Sequence, residues 1–259
     1  MGKVLAVYHQ KGGVGKTTTA VNLTAAMRLR GRKTLLCDID PQGNATSGMG
    51  VDKSLRPNVY DVLLGDVDAG DAVVKTESGD VLPANSSLSG AAVELVSAER
   101  RELILKDALS KLRDSYDYIF IDCPPQFGLL SLNALCASDS IIVPFQCEYY
   151  ALEGLGDLLV ELRAINKNLN PALYIEGVVL TMYDGRTKLT QQITREIEEY
   201  FGKKLFKTQI PRNIRLTEAP SHGMDIFRYD KRSKGAKAYL SLAEELLKSQ
   251  KKRGLEIGR

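Results

Sequence analysis

The chain has 259 residues, of which 44% are apolar and 26% charged, with a formal net charge of +3. That length suits one α/β domain spanning 1–259, with enough apolar residues for a large core. No apolar run approaches a membrane span, Lys11 and Lys16 interrupt the N-terminal apolar segment that a signal peptide would need, and Cys37, Cys123, Cys136 and Cys147 show no CxxC spacing, so reduced thiols in a cytosolic protein are expected.

In chain order, residues 4–8 are an apolar run that reads as a buried strand. Lys11-Gly12-Gly13-Val14-Gly15-Lys16-Thr17-Thr18 follows, and residues 20–27 carry apolar side chains at helical spacing. Strand, glycine-rich turn and helix is the setting of a phosphate-binding loop. Glycines let the backbone curl until successive N–H groups face one anion, and the helix N-terminus adds its partial positive charge. Lys16 can reach the β- and γ-phosphates, and the Thr17 hydroxyl can ligate Mg²⁺. The loop departs from G-x-x-x-x-G-K-[ST]: Gln10 stands where the first glycine would fall, and Lys11 comes next.

Residues 33–38 read as the second strand, ending in Asp38-Ile39-Asp40-Pro41-Gln42-Gly43-Asn44-Ala45-Thr46. Carboxylates at i and i+2 on a strand end point the same way, which predicts that Asp38 and Asp40 both face a ligand crevice at the C-terminal edge of a parallel sheet. Residues 59–64 predict a short helix stopped by Gly65, residues 73–75 and 81–85 two short strands, and residues 87–96 and 99–112 two helices. Residues 118–122 form an apolar run closed by Asp122, the pattern of a buried parallel strand delivering one carboxylate to its end. Asp122 is placed to hold Mg²⁺ through a water. A strand at 140–144, a helix with Leu155, Leu158, Leu159, Leu162 and Ile165 as its buried stripe, and a strand at 175–182 complete the alternation. That alternation predicts a doubly wound, mostly parallel sheet flanked by helices.

The tail from 229 reads as helical to about 250. Residues 203–259 hold 15 Lys and Arg against 6 Asp and Glu, a balance of +9, while residues 1–202 hold 20 against 26, a balance of −6. A basic C-terminal quarter on an acidic chain suits a polyanion partner or a solvated tail.

The run KGGVGKTT with its early lysine, the DPQGNAT run from Asp40, the Asp122-Cys123-Pro124-Pro125 strand end and residues 210–223 together resemble the ParA/MinD family of deviant Walker A ATPases, in its ParA (Soj-like) branch. The resemblance implies a P-loop NTPase fold, ATP and Mg²⁺, and ATP hydrolysis that is slow without a partner. Gly12, Gly13, Val14, Gly15, Lys16, Thr17 and Thr18 would bind the phosphates, with Thr17, Asp38 and Asp122 around the metal. Asp40 would orient the attacking water, and Lys16 and Lys11 would stabilise the developing charge. Lys11 would do so across an ATP-dependent homodimer interface, with residues 145–154 near it. Met182, Pro211, Arg212 and Asn213 would lie at the adenine, and Arg186 and Arg215 would contact double-stranded DNA without sequence preference. The implied partner is of ParB type, the setting cytoplasmic and nucleoid-associated, and the output segregation of a chromosome or plasmid.

Two positions depart from the family pattern: Gln126-Phe127 replaces a small polar residue after the prolines, and His9, immediately before the loop, stands where asparagine is common and either tunes the loop or, the favoured reading, is structural. The alternative on the same fold is a MinD-like membrane-cycling ATPase in division-site placement. Beyond Lys251 only Leu255 and Ile257 are apolar, too little for stable membrane anchoring. A metal-cluster carrier would need a cysteine pair that is missing here, and the DPQGNAT run speaks against a dethiobiotin-synthetase-like ligase.

Overall fold

Strands that are apolar on both sides need helices over both sides. The computed structural model describes residues 1–148 and 151–257, with the side chains of all of these except 92, 151–153 and 252–257. In chain order the elements are β1 (Lys3–Val7), α1 (Lys16–Leu29), β2 (Thr34–Asp38), α2 (Asn44–Gly48), α3 (Val59–Leu64), β3 (Asp80–Leu82), α4 (Leu88–Glu94), α5 (Ile104–Ser110) and β4 (Tyr118–Asp122). There follow α6 (Leu129–Ala137), β5 (Ser140–Gln146), α7 (Ala151–Asn168), β6 (Tyr174–Thr181), α8 (Lys188–Phe201), α9 (Ile214–Glu218), α10 (Ile226–Asp230) and α11 (Lys234–Ile257). Among the described residues the six strands form one sheet in the order β3-β2-β4-β1-β5-β6, and every neighbouring pair is parallel.

Side-chain alternation along each strand divides the core in two. Val4, Ala6 and Tyr8 join the cluster under α3 and α5 to α8, whereas Leu5 and Val7 join the one under α1 and α11. Helix α1 lies between the sheet and α11, so its Thr19, Asn22 and Thr24 are buried along with its apolar residues. The free edge of β6 is covered: Phe206 N–H donates to the Val178 carbonyl at 2.9 Å, and Ile210 N–H to that of Leu180 at 2.8 Å. A covered edge cannot recruit another chain by strand pairing.

Three expected elements differ. Helix α5 starts at Ile104 rather than 99, because Asn133 of α6 accepts the Leu105 N–H at 3.0 Å and donates to the Arg101 carbonyl at 2.8 Å. Residues 73–75 form no strand; Val74 makes one antiparallel bridge to Val81. The tail is two helices, since Asp225 caps α10 and the Ser233 hydroxyl accepts the Ala236 N–H at 3.1 Å to start α11.

Candidate nucleotide site

Three strand ends meet at the centre of the sheet. Val7 of β1 and Asp38 of β2 both lie opposite Asp122 of β4. The chain leaving β1 turns through Gly13 (φ +77) and Gly15 (φ +88), left-handed conformations that favour glycine. Gly15 caps α1, and the Thr181 hydroxyl at the end of β6 donates to the Val14 carbonyl at 2.8 Å, tying the loop to the far side of the sheet.

The loop opens on a cavity of about 570 Å³ lined by Gly12, Gly13, Gly15, Lys16, Thr17, Thr18, Asp40, Met182, Pro211, Arg212 and Asn213. Phosphate-loop and adenine candidates that are 164 to 201 residues apart in the chain thus share one wall. Gln42 and Asn44 of the run from Asp40, Pro125 of the Asp122 strand end, Thr181 and Tyr239 also line it, and no sequence pattern marks Tyr239. Tyr239 offers no such signal because it reaches the cavity only through α11 packing on α1, where its hydroxyl meets that of Thr19 at 3.2 Å.

Lys16 is 7% exposed, and its ammonium donates to the Lys11 carbonyl at 2.9 Å. Burial lowers its pKa, opposed by Asp122, Cys123 and Asp40. Among the described residues no carboxylate is within ion-pair distance, so this buried cation is suited to a ligand anion.

The three aspartates differ in environment. Asp40 lies two residues past β2 and lines the cavity; its Oδ1 accepts the Gln42 N–H at 2.9 Å. Asp38 does not line the cavity. Its oxygens accept the Asp40 N–H, the Thr46 N–H and the Thr46 hydroxyl at 3.1, 2.8 and 2.7 Å, anchoring α2. Of the two, Asp40 lines the cavity and Asp38, the last residue of β2, does not. Burial pushes the Asp38 carboxyl up to about 6. Asp122 is fully buried, and neither of its oxygens has a hydrogen-bond partner among the described residues. Its pKa is raised by burial and then by Asp38, with Thr17 and Lys16 acting the other way.

An orphaned carboxylate beside a threonine hydroxyl fits Mg²⁺, which keeps several waters and takes one or two protein oxygens together with phosphate oxygens. Thr17 and Asp122 are the residues that would contribute to such a shell. Asp38 sits behind them with its oxygens already engaged.

Lys11 does not line the cavity. Its ammonium pairs with Glu148 at 2.7 Å, with both side chains partly exposed, and its N–H donates to His9 Nδ1 at 3.0 Å. Glu148 is the described end of the segment expected near a dimer interface; Tyr149, Tyr150 and the side chains of 151–153 lie outside the described residues. Arg186 and Arg215 are likewise away from the cavity. Arg186 grips Asp184 through Nε and Nη2 at 2.8 and 2.6 Å, and Arg215 meets Glu218 at 2.9 Å and Asp230 at 3.7 Å. Their loops run side by side, joined by a parallel bridge between Tyr183 and Pro211.

The Gln126-Phe127 turn is held by Ser131, whose hydroxyl donates to the Gln126 carbonyl and accepts the Gly128 N–H, leaving Phe127 half exposed. All four cysteines are free, and only Cys147 is less than fully buried. The tail side chains from 252 onward lie outside the described residues. No described helix is long and apolar enough to cross a membrane.

A parallel sheet with a glycine loop at its central strand, a buried lysine and strand-end carboxylates defines a P-loop nucleoside triphosphatase, with an additional lysine at the start of the loop. Residues 2–175 match the model of an AAA domain family, AAA_31. The chain is 55% identical over 249 residues to the sporulation initiation inhibitor protein Soj of Bacillus subtilis, covering 95% of this chain and 98% of that protein. It is 49% identical over 249 residues to the chromosome-partitioning ATPase Soj of Treponema pallidum, with the same coverage. A solved Mycobacterium smegmatis structure, described as a cobyrinic acid a,c-diamide synthase with bound ADP and magnesium, matches with a TM-score of 0.86 at 40% identity, covering 97% of this chain and 96% of that one. The chain belongs to the ParA/MinD family of deviant Walker A ATPases, in its Soj-like branch.

Proposed function

We propose that this chain, working as one domain over 1–259, is an ATP-dependent switch for chromosome or plasmid segregation. In this reading the ATP-bound form is a sandwich dimer that binds duplex DNA without sequence preference, and hydrolysis, stimulated by a ParB-type partner, releases it. One observation carries most of the weight: of the two loop lysines, Lys16 faces its own cavity while Lys11 lies outside it. A lysine on the outer rim is placed to serve a nucleotide held by a second subunit.

The loop N–H groups from Gly12 to Thr18 hold the phosphates, and Lys16 leaves the Lys11 carbonyl for the β- and γ-oxygens. Thr17 and Asp122 would hold Mg²⁺, which would supply positive charge against the phosphate oxygens. Asp40, fixed through the Gln42 N–H, orients the attacking water. Met182 and Pro211 to Asn213 enclose the base. Arg186 and Arg215, on adjoining exposed loops, take phosphates of DNA, with the basic tail as further support. The chain would then reside in the cytoplasm on the nucleoid.

The test is binding of non-specific duplex DNA with ATP, with ADP and without nucleotide, at two salt concentrations. ATP-dependent, salt-sensitive binding that Asp40→Ala prolongs and Arg215→Glu abolishes is the expected result. An ATP dimer that binds no DNA would overturn the DNA half of the reading, and ATP-dependent binding to anionic vesicles would replace it with the membrane-cycling alternative.

A further inference from the structure

We infer that His9 is a positioning residue for the phosphate loop: its Nδ1 accepts the Lys11 N–H and thereby sets the Lys11 carbonyl and side chain in place. The inference rests on the reading of the cavity as an ATP site. His9 is 2% exposed and lies between β1 and the loop. Its ring is tilted against Phe145 of β5 at 6.1 Å, and Gly154 of α7 lies against it, where a Cβ would be 3.5 Å from His9 Cε1. The ring is thus held by packing on two sides, and one nitrogen is aimed at the backbone two residues on.

Lys11 is pinned at three points. Its N–H is held by His9 at 3.0 Å, its carbonyl receives the Lys16 ammonium at 2.9 Å, and its own ammonium meets Glu148 at 2.7 Å. The two backbone bonds fall on successive peptide planes, so together they fix the φ and ψ of Lys11. Of these anchors only His9 is both buried and rigid. Removing it frees the first peptide of the loop, and with it the carbonyl that parks Lys16 and the direction in which the Lys11 side chain leaves. The acceptor role needs a neutral ring. Burial pushes the His9 pKa down to about 4, with Lys16 and Lys11 adding to the effect, and the other described groups facing it, Phe145 and Gly154, do not titrate.

Acceptor chemistry and ring shape can be separated. Asparagine carries an acceptor that bonds its own backbone two residues on. Leucine fills similar space with no acceptor. The full chain and its His9→Asn and His9→Leu forms are titrated with a fluorescent ATP analogue in Mg²⁺, with steady-state turnover and Tm measured alongside. His9→Leu should raise Kd and KM for ATP about 3- to 10-fold, the range for loss of one buried hydrogen bond, with Tm within about 2 °C of the unmodified chain. His9→Asn should bind within about twofold of it. Unchanged ATP binding in His9→Leu, or His9→Asn as impaired as His9→Leu, would overturn the inference. If His9→Leu does not fold, His9→Ala takes its place with the same expectations. Absence of ATP binding by the unmodified chain would instead overturn the nucleotide reading, so the two failures are told apart.

Discussion

The ammonium of Lys11 lies 2.7 Å from the carboxylate of Glu148 on its own chain. A lysine proposed to serve a second subunit is therefore paired at home before any second subunit arrives. The same holds for Arg186 with Asp184 and Arg215 with Glu218. Each proposed outward contact would then exchange one partner for another and leave the home carboxylate without its cation.

Glu148→Gln removes the home partner of Lys11. Both ends are partly exposed, so the pair contributes about 0–1 kcal/mol to stability and Tm should move by no more than about 2 °C. The ATP-dependent dimer should form at up to about 5-fold lower protein concentration. Sedimentation velocity in ATP reads this directly; an unchanged dimerisation midpoint would show that Glu148 does not restrain Lys11.

The buried pair Asp38 and Asp122 gives a pH dependence of known sign. Both carboxyls hold protons more tightly folded than unfolded, Asp38 to about 6. Between the ordinary carboxylate range and about 6 the folded state binds more protons, so stability falls as pH rises through that window. Without nucleotide or Mg²⁺, Tm should fall as pH rises from about 4 to about 6. Asp122→Asn should flatten the profile and stabilise the ligand-free chain at pH 7.5, while abolishing Mg²⁺-dependent hydrolysis. A ligand-free Tm that rises over this range would contradict the assignment.

Gly177 of β6 faces Phe206, and a Cβ at Gly177 would lie 2.4 Å from the Phe206 ring. Because Phe206 is part of the strip covering the β6 edge, it cannot retreat without breaking the bond from its N–H to Val178. Gly177→Ala should destabilise the chain by about 1–3 kcal/mol. Chemical denaturation gives the number, and Gly177→Ala with Phe206→Leu should recover part of it.

If Arg186 neutralises a DNA phosphate, Arg186→Ala should lower the magnitude of the log K against log[salt] slope by about 0.9, and by about twice that for a symmetric dimer in which both copies do so. Its side chain is 89% exposed and, among the described residues, bonded only to Asp184, so stability should be unaffected. A fall in affinity with no change of slope would place Arg186 away from the DNA backbone.

The parts of the site that are legible in the sequence are those that depend on local chemistry. The glycine loop, Lys16, Thr17 and Asp122 are set by short-range patterns, because a phosphate cradle needs left-handed turns and a buried parallel strand reads as a continuous apolar run. Spacing also cannot show that Asp38 is tied to α2, where Thr46 bonds it twice, while Asp40 lines the cavity. Helices α6 and α8 leave little mark in the sequence, for opposite reasons. In α6 nearly every residue is buried, so no amphipathic stripe stands out; α8 is strongly two-faced but short of apolar residues. Tyr239 and Glu148 come to the site and its rim through tertiary contacts 220 and 137 residues long. His9 is legible as a residue next to the loop, and its bond to Lys11 is not, since that depends on which way a ring turns inside the core.

The order of strands also bears on synthesis. β4 lies between β1 and β2, although it is made about 80 residues after β2. A growing chain on the ribosome that has released β1, α1 and β2 carries the whole glycine loop and Asp38, yet these two strands have no bonds to each other. The gap between them closes only when residues 118–122 emerge and insert, bringing Asp122 with them. The loop thus exists on the nascent chain well before its acidic counterpart, and the carboxylate end of the pocket is completed only after about half the protein has left the exit tunnel, with the wall from 182 to 239 added later still.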